Sequence, residues 1–113
     1  MPDQDLPVVF AYITAGNLEE GERIGRALVE EGLAACTNLL PGMRSIYRWK
    51  GAVEQAEEVV LIAKTRADRF DSLAARVRAL HSYDTPCVVA LPVTAGSAPY
   101  LRWIASESTQ PHD

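Results

Sequence analysis

The chain has 113 residues, and its 15 acidic and 11 basic side chains give a formal net charge of −4 at pH 7. This length predicts one domain, and a composition with 48% hydrophobic and 23% charged residues is typical of a water-soluble globular chain. The small acidic excess argues against a protein that binds nucleic acid or an anionic membrane through charge. Two cysteines, Cys36 and Cys87, exclude a disulfide framework and a four-thiolate zinc site, and they favour a reducing compartment.

The chain ends and the apolar stretches predict a cytoplasmic protein. Residues 1–5 are acidic and lack the basic end and apolar run of a secretory signal. The longest apolar stretches, such as residues 59–63, are far shorter than a bilayer span. We expect a single domain over residues 1–113, with an ordered core at about residues 7–106 and termini that fray.

The first part of the chain predicts a strand followed by a helix. Residues 7–14 form a short run that is apolar at both alternate sets of positions, typical of a strand covered on both faces or covered on one by a neighbouring subunit. Asn17 and Glu20 match a capping box, so a helix should begin there. Gly21 and Gly25 within this helix predict a close approach of helix to sheet.

Residues 34–65 predict a long β-hairpin with a turn at residues 50–51 and a bend or bulge at residues 41–42. Each arm has roughly 14 residues and spans roughly 45 Å, which exceeds the roughly 35 Å diameter of a compact domain of this length. The tip, which carries Tyr47 and Trp49 on one face, should therefore project from the body. We expect self-association to cover it, because exposed strand edges and aromatics favour aggregation.

The second half of the chain completes the pattern. A helix is expected over residues 68–80 with Asp68 as its cap, a last long strand over residues 86–93, and a short helix near residues 99–106. The order β-α-β-β-α-β with an extra terminal helix predicts an α+β fold, the ferredoxin-like sandwich.

Few side chains offer chemistry. His81 ends the second helix and Cys87 follows six residues later, and an imidazole with a thiolate would suit copper or zinc. The residues alone favour structural roles: a histidine that bonds the last helix carbonyls, and a small core cysteine. Two acidic clusters are expected to be solvated faces: Glu19, Glu20 and Glu22, and Glu54, Glu57 and Glu58. No nucleophile–base pair or phosphate-binding loop can be named, so we expect neither an enzyme nor an organic cofactor.

Five short motifs follow one another in the chain: AACTN at 34–38, SIYRWKG at 45–51, KT at 64–65, HxYDxP at 81–86 and YLRWI at 100–104. Together they resemble the CutA family of divalent-cation tolerance proteins, over about residues 8–104. The resemblance implies a homotrimer of ferredoxin-like subunits whose long hairpins pair between neighbours. Tyr47 and Trp49 would then lie at or near subunit contacts.

The resemblance also implies tolerance of copper and other divalent metals, with Cu²⁺ or another divalent cation as the ligand. His81 stands at the family's motif histidine, Ser82 replaces the proline that usually follows, and Cys87 replaces a frequent glutamate. A further cysteine, proposed as a ligand in a bacterial member, is Ile13 here. We expect a non-enzymatic trimer with weak metal binding at His81 and Cys87.

A second function stays open, because the same architecture resembles trimeric signal-transduction proteins of the nitrogen-regulatory type. Such a protein would be a signalling or adaptor trimer that binds a small anionic metabolite, or a partner protein, in clefts between subunits. Lys64, Tyr83 and Trp103 are the candidates to line such a cleft.

Overall fold

The computed structural model describes residues 7–109, and most of the terminal residues expected to fray lie outside this range. Seven main elements follow the predicted order: β1 Val8–Ala15, α1 Leu18–Glu30, β2 Cys36–Trp49, β3 Ala52–Arg66, α2 Phe70–Leu80, β4 Val88–Pro92 and α3 Ala98–Glu107. The strands form one antiparallel sheet in the order β2-β3-β1-β4, with β1 between β3 and β4. The predicted ferredoxin-like α+β class is confirmed.

Helices α1 and α2 pack on one face of this sheet because β1 and β3 alternate their side chains between the two faces. Every second residue of these strands enters the core, and fully buried side chains from both helices meet them. The largest of these core residues are Ile13, Ile24, Leu28, Leu61, Leu73 and Val77. No helix within residues 7–109 is long and apolar enough to cross a membrane.

The hairpin of β2 and β3 forms as predicted. Lys50 and Gly51 have φ values of 50° and 84°, so the two-residue connection has the positive-φ geometry that matches the twist of paired strands. The register shifts between Leu40 and Met43, which confirms the bulge, and Gly42 there has a φ of 81°. The resulting ribbon stretches the described chain to 52 × 32 × 21 Å.

Two element boundaries were predicted wrongly. Asp68 does not cap α2: it lies in a short 3₁₀ turn over Ala67–Arg69, and its carboxylate accepts two hydrogen bonds from Arg66, at 2.6 and 2.9 Å. Arg69, at the end of this turn, occupies the N-cap position of α2 and forms no side-chain capping bond. The last strand, β4, has only 5 residues rather than the predicted eight, because Pro86 and Cys87 precede its pairing with β1.

Gly25 lies at a close approach of α1 to β2 and β3, and Gly25→Ala is expected to destabilise the protein. An added Cβ would lie 2.9 Å from Thr37 Oγ1 and 3.3 Å from Leu61 Cδ1. Overpacking of this kind costs about 1–3 kcal/mol, which exceeds the gain of about 1 kcal/mol in helix propensity. Urea unfolding measures the difference.

The matched control for this substitution is Gly96→Ala. Its added Cβ would meet Leu101 at 3.4 Å, an ordinary contact, so the change should stay within about 0.5 kcal/mol. A Gly25→Ala protein as stable as the Gly96→Ala protein would show that α1 does not need this close approach.

The sheet face opposite α1 and α2, called the open face below, is covered by α3 at one end only. There Ile104 packs on Val8 and Ala35. The rest of the face carries apolar side chains that are partly or largely exposed: Phe10, Tyr12, Leu40, Ile62, Val89 and Leu91. Leaving so much apolar surface in water is unfavourable, so this face is the natural place for an interface.

Candidate functional site

Polar side chains gather at two corners of the open face. Glu58 and Lys64 both lie in β3, six residues apart, and therefore point to the same face about 20 Å from each other. The Glu58 corner comprises Ser45, Glu58, Tyr83 and Cys87. The Lys64 corner comprises Cys36, Lys64, Tyr100 and Trp103.

In the Glu58 corner one carboxylate accepts hydrogen bonds from two hydroxyl groups. The Ser45 hydroxyl donates to Glu58 Oε1 at 2.6 Å, and the Tyr83 hydroxyl donates to Glu58 Oε2 at 2.9 Å. Burial and the nearby Glu58 charge raise the pKa of the Cys87 thiol, so it stays protonated at neutral pH. Because metals bind the thiolate, this environment works against Cys87 as a ligand.

His81 lies behind this corner, and its side chain is fully buried. Its Nε2 atom is 2.7 Å from the carbonyl oxygen of Thr14, and its Nδ1 atom is 3.0 Å from the backbone nitrogen of Tyr83, whose N–H donates to it. The His81 and Tyr83 rings are also in contact, with centroids 4.6 Å apart. The imidazole therefore joins the end of β1 to the segment that leads into β4.

Glu20 completes the same connection from α1. The Asn17 side chain accepts the Glu20 N–H at 2.8 Å, which is the predicted half of a capping box. The expected return bond to Asn17 does not form: Glu20 instead accepts the N–H groups of Gly16 at 3.0 Å and Ser82 at 2.7 Å. Burial raises the pKa of Glu20, but hydrogen bonds from Ser82 and Gly16 outweigh it and lower that pKa overall.

Two glutamates of the supposed solvated clusters are thus structural. Glu20 is only 7% exposed, and Glu58 holds two partners. In the sequence, each of them stands among other acidic residues, and such clusters are typical of solvated surfaces. The capping-box spacing of Glu20 was a usable signal, whereas no local pattern pointed to Glu58, because its partner Tyr83 lies 25 residues away.

The Lys64 corner surrounds one ammonium group with aromatic rings. Lys64 Nζ donates to the Tyr100 hydroxyl at 2.9 Å and lies 5.1 Å from the Phe10 ring centroid and 5.4 Å from that of Tyr100. The hydrogen bond with Tyr100 raises the Lys64 pKa, so the group remains charged. Trp103 stacks on Tyr100 at 5.8 Å, and Cys36 Sγ lies 4.0 Å from the Tyr100 hydroxyl.

The structure therefore brings some predicted residues together and separates others. Lys64 and Trp103 meet through Tyr100, which the prediction did not include, but Tyr83 belongs to the Glu58 corner. The three candidates for one cleft do not meet within one subunit. Tyr47 and Trp49 lie on the projecting hairpin, 41% and 59% exposed.

His81 and Cys87 do not fit a resident metal ion within one subunit. Both nitrogens of the buried imidazole already have partners, and the raised pKa of the Cys87 thiol disfavours the thiolate that a metal would bind. Across residues 7–109, no three His, Cys, Asp or Glu side chains are grouped so that they could hold a metal. The metal site expected from the sequence has no donor set in this part of the chain.

Together, the fold and the two corners define a class of protein: a small ferredoxin-like domain with a projecting ribbon and an open apolar sheet face. A family model described as CutA1 divalent ion tolerance protein matches residues 9–107. The chain therefore belongs to the CutA family, as its five motifs indicated.

Relatives and solved structures agree with this assignment. The divalent-cation tolerance protein CutA of Thermus thermophilus is 48% identical over 92 residues, which cover 81% of this chain and 89% of that protein. The chloroplastic protein CutA of Arabidopsis thaliana is 42% identical over 103 residues, 91% of this chain. The crystal structure of CutA1 from Oryza sativa has a TM-score of 0.92 at 39% identity, covering 96% of this chain and 99% of that one.

The relatives differ in length and in cellular location. The chain spans 57% of the Arabidopsis relative and 59% of the chloroplastic rice relative. A structure from Archaeoglobus fulgidus, 43% identical with a TM-score of 0.87, covers 90% of this chain and 99% of that one, and it is described as a periplasmic divalent cation tolerance protein. The cytoplasmic location expected from the sequence is thus not shared by every relative.

Tyr83 provides a prediction for the Glu58 corner. Burial, the hydrogen bond to Glu58 and its charge raise the Tyr83 pKa from 10.0 to about 12. The folded state therefore favours the protonated phenol, and this stability is present below pH 10 and is lost as the pH rises towards 12. Because Tyr83 is 40% exposed, solvent screening limits the effect to about 1 kcal/mol.

Unfolding measured across alkaline pH should show this loss in the wild type, and Tyr83→Phe should lack it. Ultraviolet titration of the phenols should assign the highest pKa to Tyr83. A wild-type protein whose alkaline stability profile matches that of Tyr83→Phe would contradict the expected Glu58 contact.

Proposed function

We propose that this protein acts as a homotrimer in the cellular response to divalent cations and that it does so without catalysis. The observation that carries the proposal is the open face. Val89 and Leu91 are each 49% exposed and Leu40 is 54% exposed on one continuous sheet surface. An antiparallel sheet can leave a polar face in water, but an exposed face as apolar as this one favours a partner.

The hairpin supports self-association rather than a small partner. Ile46 and Val53 are 67% and 66% exposed near the tip, on the face of the ribbon opposite Trp49. A ribbon of two strands is marginally stable on its own in water. Copies of the same chain around a threefold axis supply both strand edges and apolar surface, which is how closed symmetry satisfies a projecting element.

In this proposal, divalent cations bind weakly to acidic side chains on the protein surface. Three subunits of charge −4 give about −12, which attracts cations without selecting one. Cu²⁺ is one candidate, and the exposed acidic residues of the hairpin offer oxygen donors to divalent ions in general. The free thiols of Cys36 and Cys87 support a reducing compartment, the cytoplasm in our proposal.

The absence of catalysis is proposed because the perturbed groups are held in inactive forms. Tyr83 and Cys87 both have raised pKa values, so neither supplies a base or a nucleophile at neutral pH. Lys64 is held charged by Tyr100 and is likewise not a nucleophile.

Sedimentation equilibrium of the purified chain tests the assembly, with an expected mass three times the 12.4 kDa of one subunit. A strain that lacks the protein should become more sensitive to a divalent metal salt and should recover with the wild-type gene. A monomeric protein would overturn the trimer, and unchanged sensitivity to copper, zinc and cobalt would overturn the cation response.

A further inference from the structure

We propose that His81 is a neutral imidazole, protonated on Nε2, that positions Tyr83 in the Glu58 corner, and that it is not the ligand through which this protein takes up a metal ion. The inference goes against the role expected from the motif. It rests on the contacts of the ring and holds whether or not the cation response of the whole protein is confirmed.

The two hydrogen bonds of the ring fix its protons. The Thr14 carbonyl oxygen can only accept, so Nε2, at 2.7 Å, carries the hydrogen. The Tyr83 backbone N–H can only donate, so Nδ1, at 3.0 Å, presents its lone pair. One tautomer alone satisfies both partners, and in that tautomer neither nitrogen has a lone pair left for a metal.

A metal ion could reach this ring only by breaking the connection. Coordination at Nδ1 would displace the Tyr83 N–H, and coordination at Nε2 would remove the proton that Thr14 accepts. The side chain is 0% exposed, so the ion would also lose its water. Glu20 Oε2 lies 3.7 Å from Nδ1, but both Glu20 oxygens already accept backbone N–H groups, from Gly16 and Ser82.

What the ring does instead is position Tyr83. The bond to Nδ1 holds the Tyr83 backbone, and the contact between the rings, at 4.6 Å, directs its side chain. The Tyr83 hydroxyl then reaches Glu58 at 2.9 Å. His81 is a positioning residue in this account: it acts on the Glu58 corner through Tyr83 and does not contact Glu58 itself.

Nitrogen-15 NMR of the full-length wild type tests the tautomer. His81 should show a protonated Nε2 and an unprotonated Nδ1, assigned by comparison with His81→Asn, and both signals should be unchanged during titration with Zn²⁺, a diamagnetic probe. An Nδ1-protonated ring, or a shift of either His81 nitrogen that saturates with Zn²⁺, would overturn the proposal.

Two variants separate positioning from ligation. Asn offers an acceptor oxygen near the place of Nδ1, whereas Ala offers none. The Tyr83 pKa, about 12 in the wild type, should remain high in His81→Asn and should fall towards its ordinary value in His81→Ala. An unchanged Tyr83 pKa in His81→Ala would refute the positioning role.

Calorimetry with Zn²⁺ and with Cu²⁺ completes the test. The affinity of His81→Ala should stay within about twofold of the wild type, and His112→Ala controls for the other imidazole of the chain. A loss of about tenfold or more in His81→Ala alone would make His81 a ligand. If neither ion binds, the NMR and Tyr83 measurements still decide the question, and only the cation part of the proposed function fails.

Discussion

Val89→Glu is expected to convert the proposed trimer into folded monomers. Val89 lies on the open face in the edge strand β4, opposite Tyr12 in β1, and is 49% exposed in one subunit. In the proposed assembly, the substitution would place a carboxylate in a desolvated apolar contact with no partner. This costs about 3 kcal/mol or more for each subunit. Since about 1.4 kcal/mol changes an equilibrium constant tenfold, the trimer should dissociate at micromolar concentration. Sedimentation velocity measures the change.

Val29→Glu is the matched control for this prediction. Val29 is exposed to a similar extent, 41%, but it lies on α1, which packs against the opposite face of the sheet. Glutamate suits an exposed helix position, so this variant should remain trimeric with an unchanged circular dichroism spectrum. A trimeric Val89→Glu protein, or dissociation caused equally by both variants, would show that the open face is not the interface.

The sequence predicted the fold well because the signals for its elements are local. The apolar run of residues 7–14, the cap at Asn17 and the positive-φ turn at residues 50–51 each depend on neighbouring residues alone. Asp68 shows where this reasoning fails. Its position predicted a cap, but its carboxylate instead forms a bidentate ion pair with Arg66, two residues away.

The candidate site was less predictable because its partners are distant or belong to the backbone. The motifs singled out His81, Tyr83 and Lys64, but they said nothing of what each residue would contact. The partners of His81 are the carbonyl oxygen of Thr14 and the backbone N–H of Tyr83, and such groups have no signature in a sequence. The spacing of His81 and Cys87 therefore suggested a metal site, whereas in the structure His81 forms hydrogen bonds with two backbone groups.

These observations separate what the motifs encode from what the family name implies. The histidine of the HxYDxP motif forms hydrogen bonds with Thr14 and Tyr83, and the KT motif places Lys64 against Tyr100 of the terminal motif. Both of these motifs thus join elements that lie far apart in the chain. If subunits meet across the open face as proposed, such connections hold the loops near the interface in one conformation and so lower the entropic cost of assembly.

Glu20→Ala is expected to cause the largest loss of stability among the polar substitutions considered. Glu20 is 7% exposed and accepts the backbone N–H groups of Gly16 and Ser82, so its removal leaves two donors without a partner. Each unsatisfied donor costs about 1–3 kcal/mol, for a total of about 3 kcal/mol. Urea unfolding at one protein concentration measures it, since an oligomer's stability depends on concentration. Glu19→Ala, in the same helical turn but exposed, is the control and should cost less than about 1 kcal/mol.

The difference between wild type and Glu20→Ala should also depend on pH, with a definite sign. Hydrogen bonds from Ser82 and Gly16 outweigh burial and hold the Glu20 pKa below its ordinary value of 4.5. The folded state therefore favours the carboxylate, and this part of the stability is fully present above pH 4.5 and is lost as the pH falls through the lowered pKa. Acid should thus narrow the gap between the two proteins, while the gap between wild type and Glu19→Ala stays small throughout. A gap that widens in acid would mean that Glu20 is protonated in the folded protein, and the connection from α1 to Ser82 would then need a different hydrogen-bond arrangement.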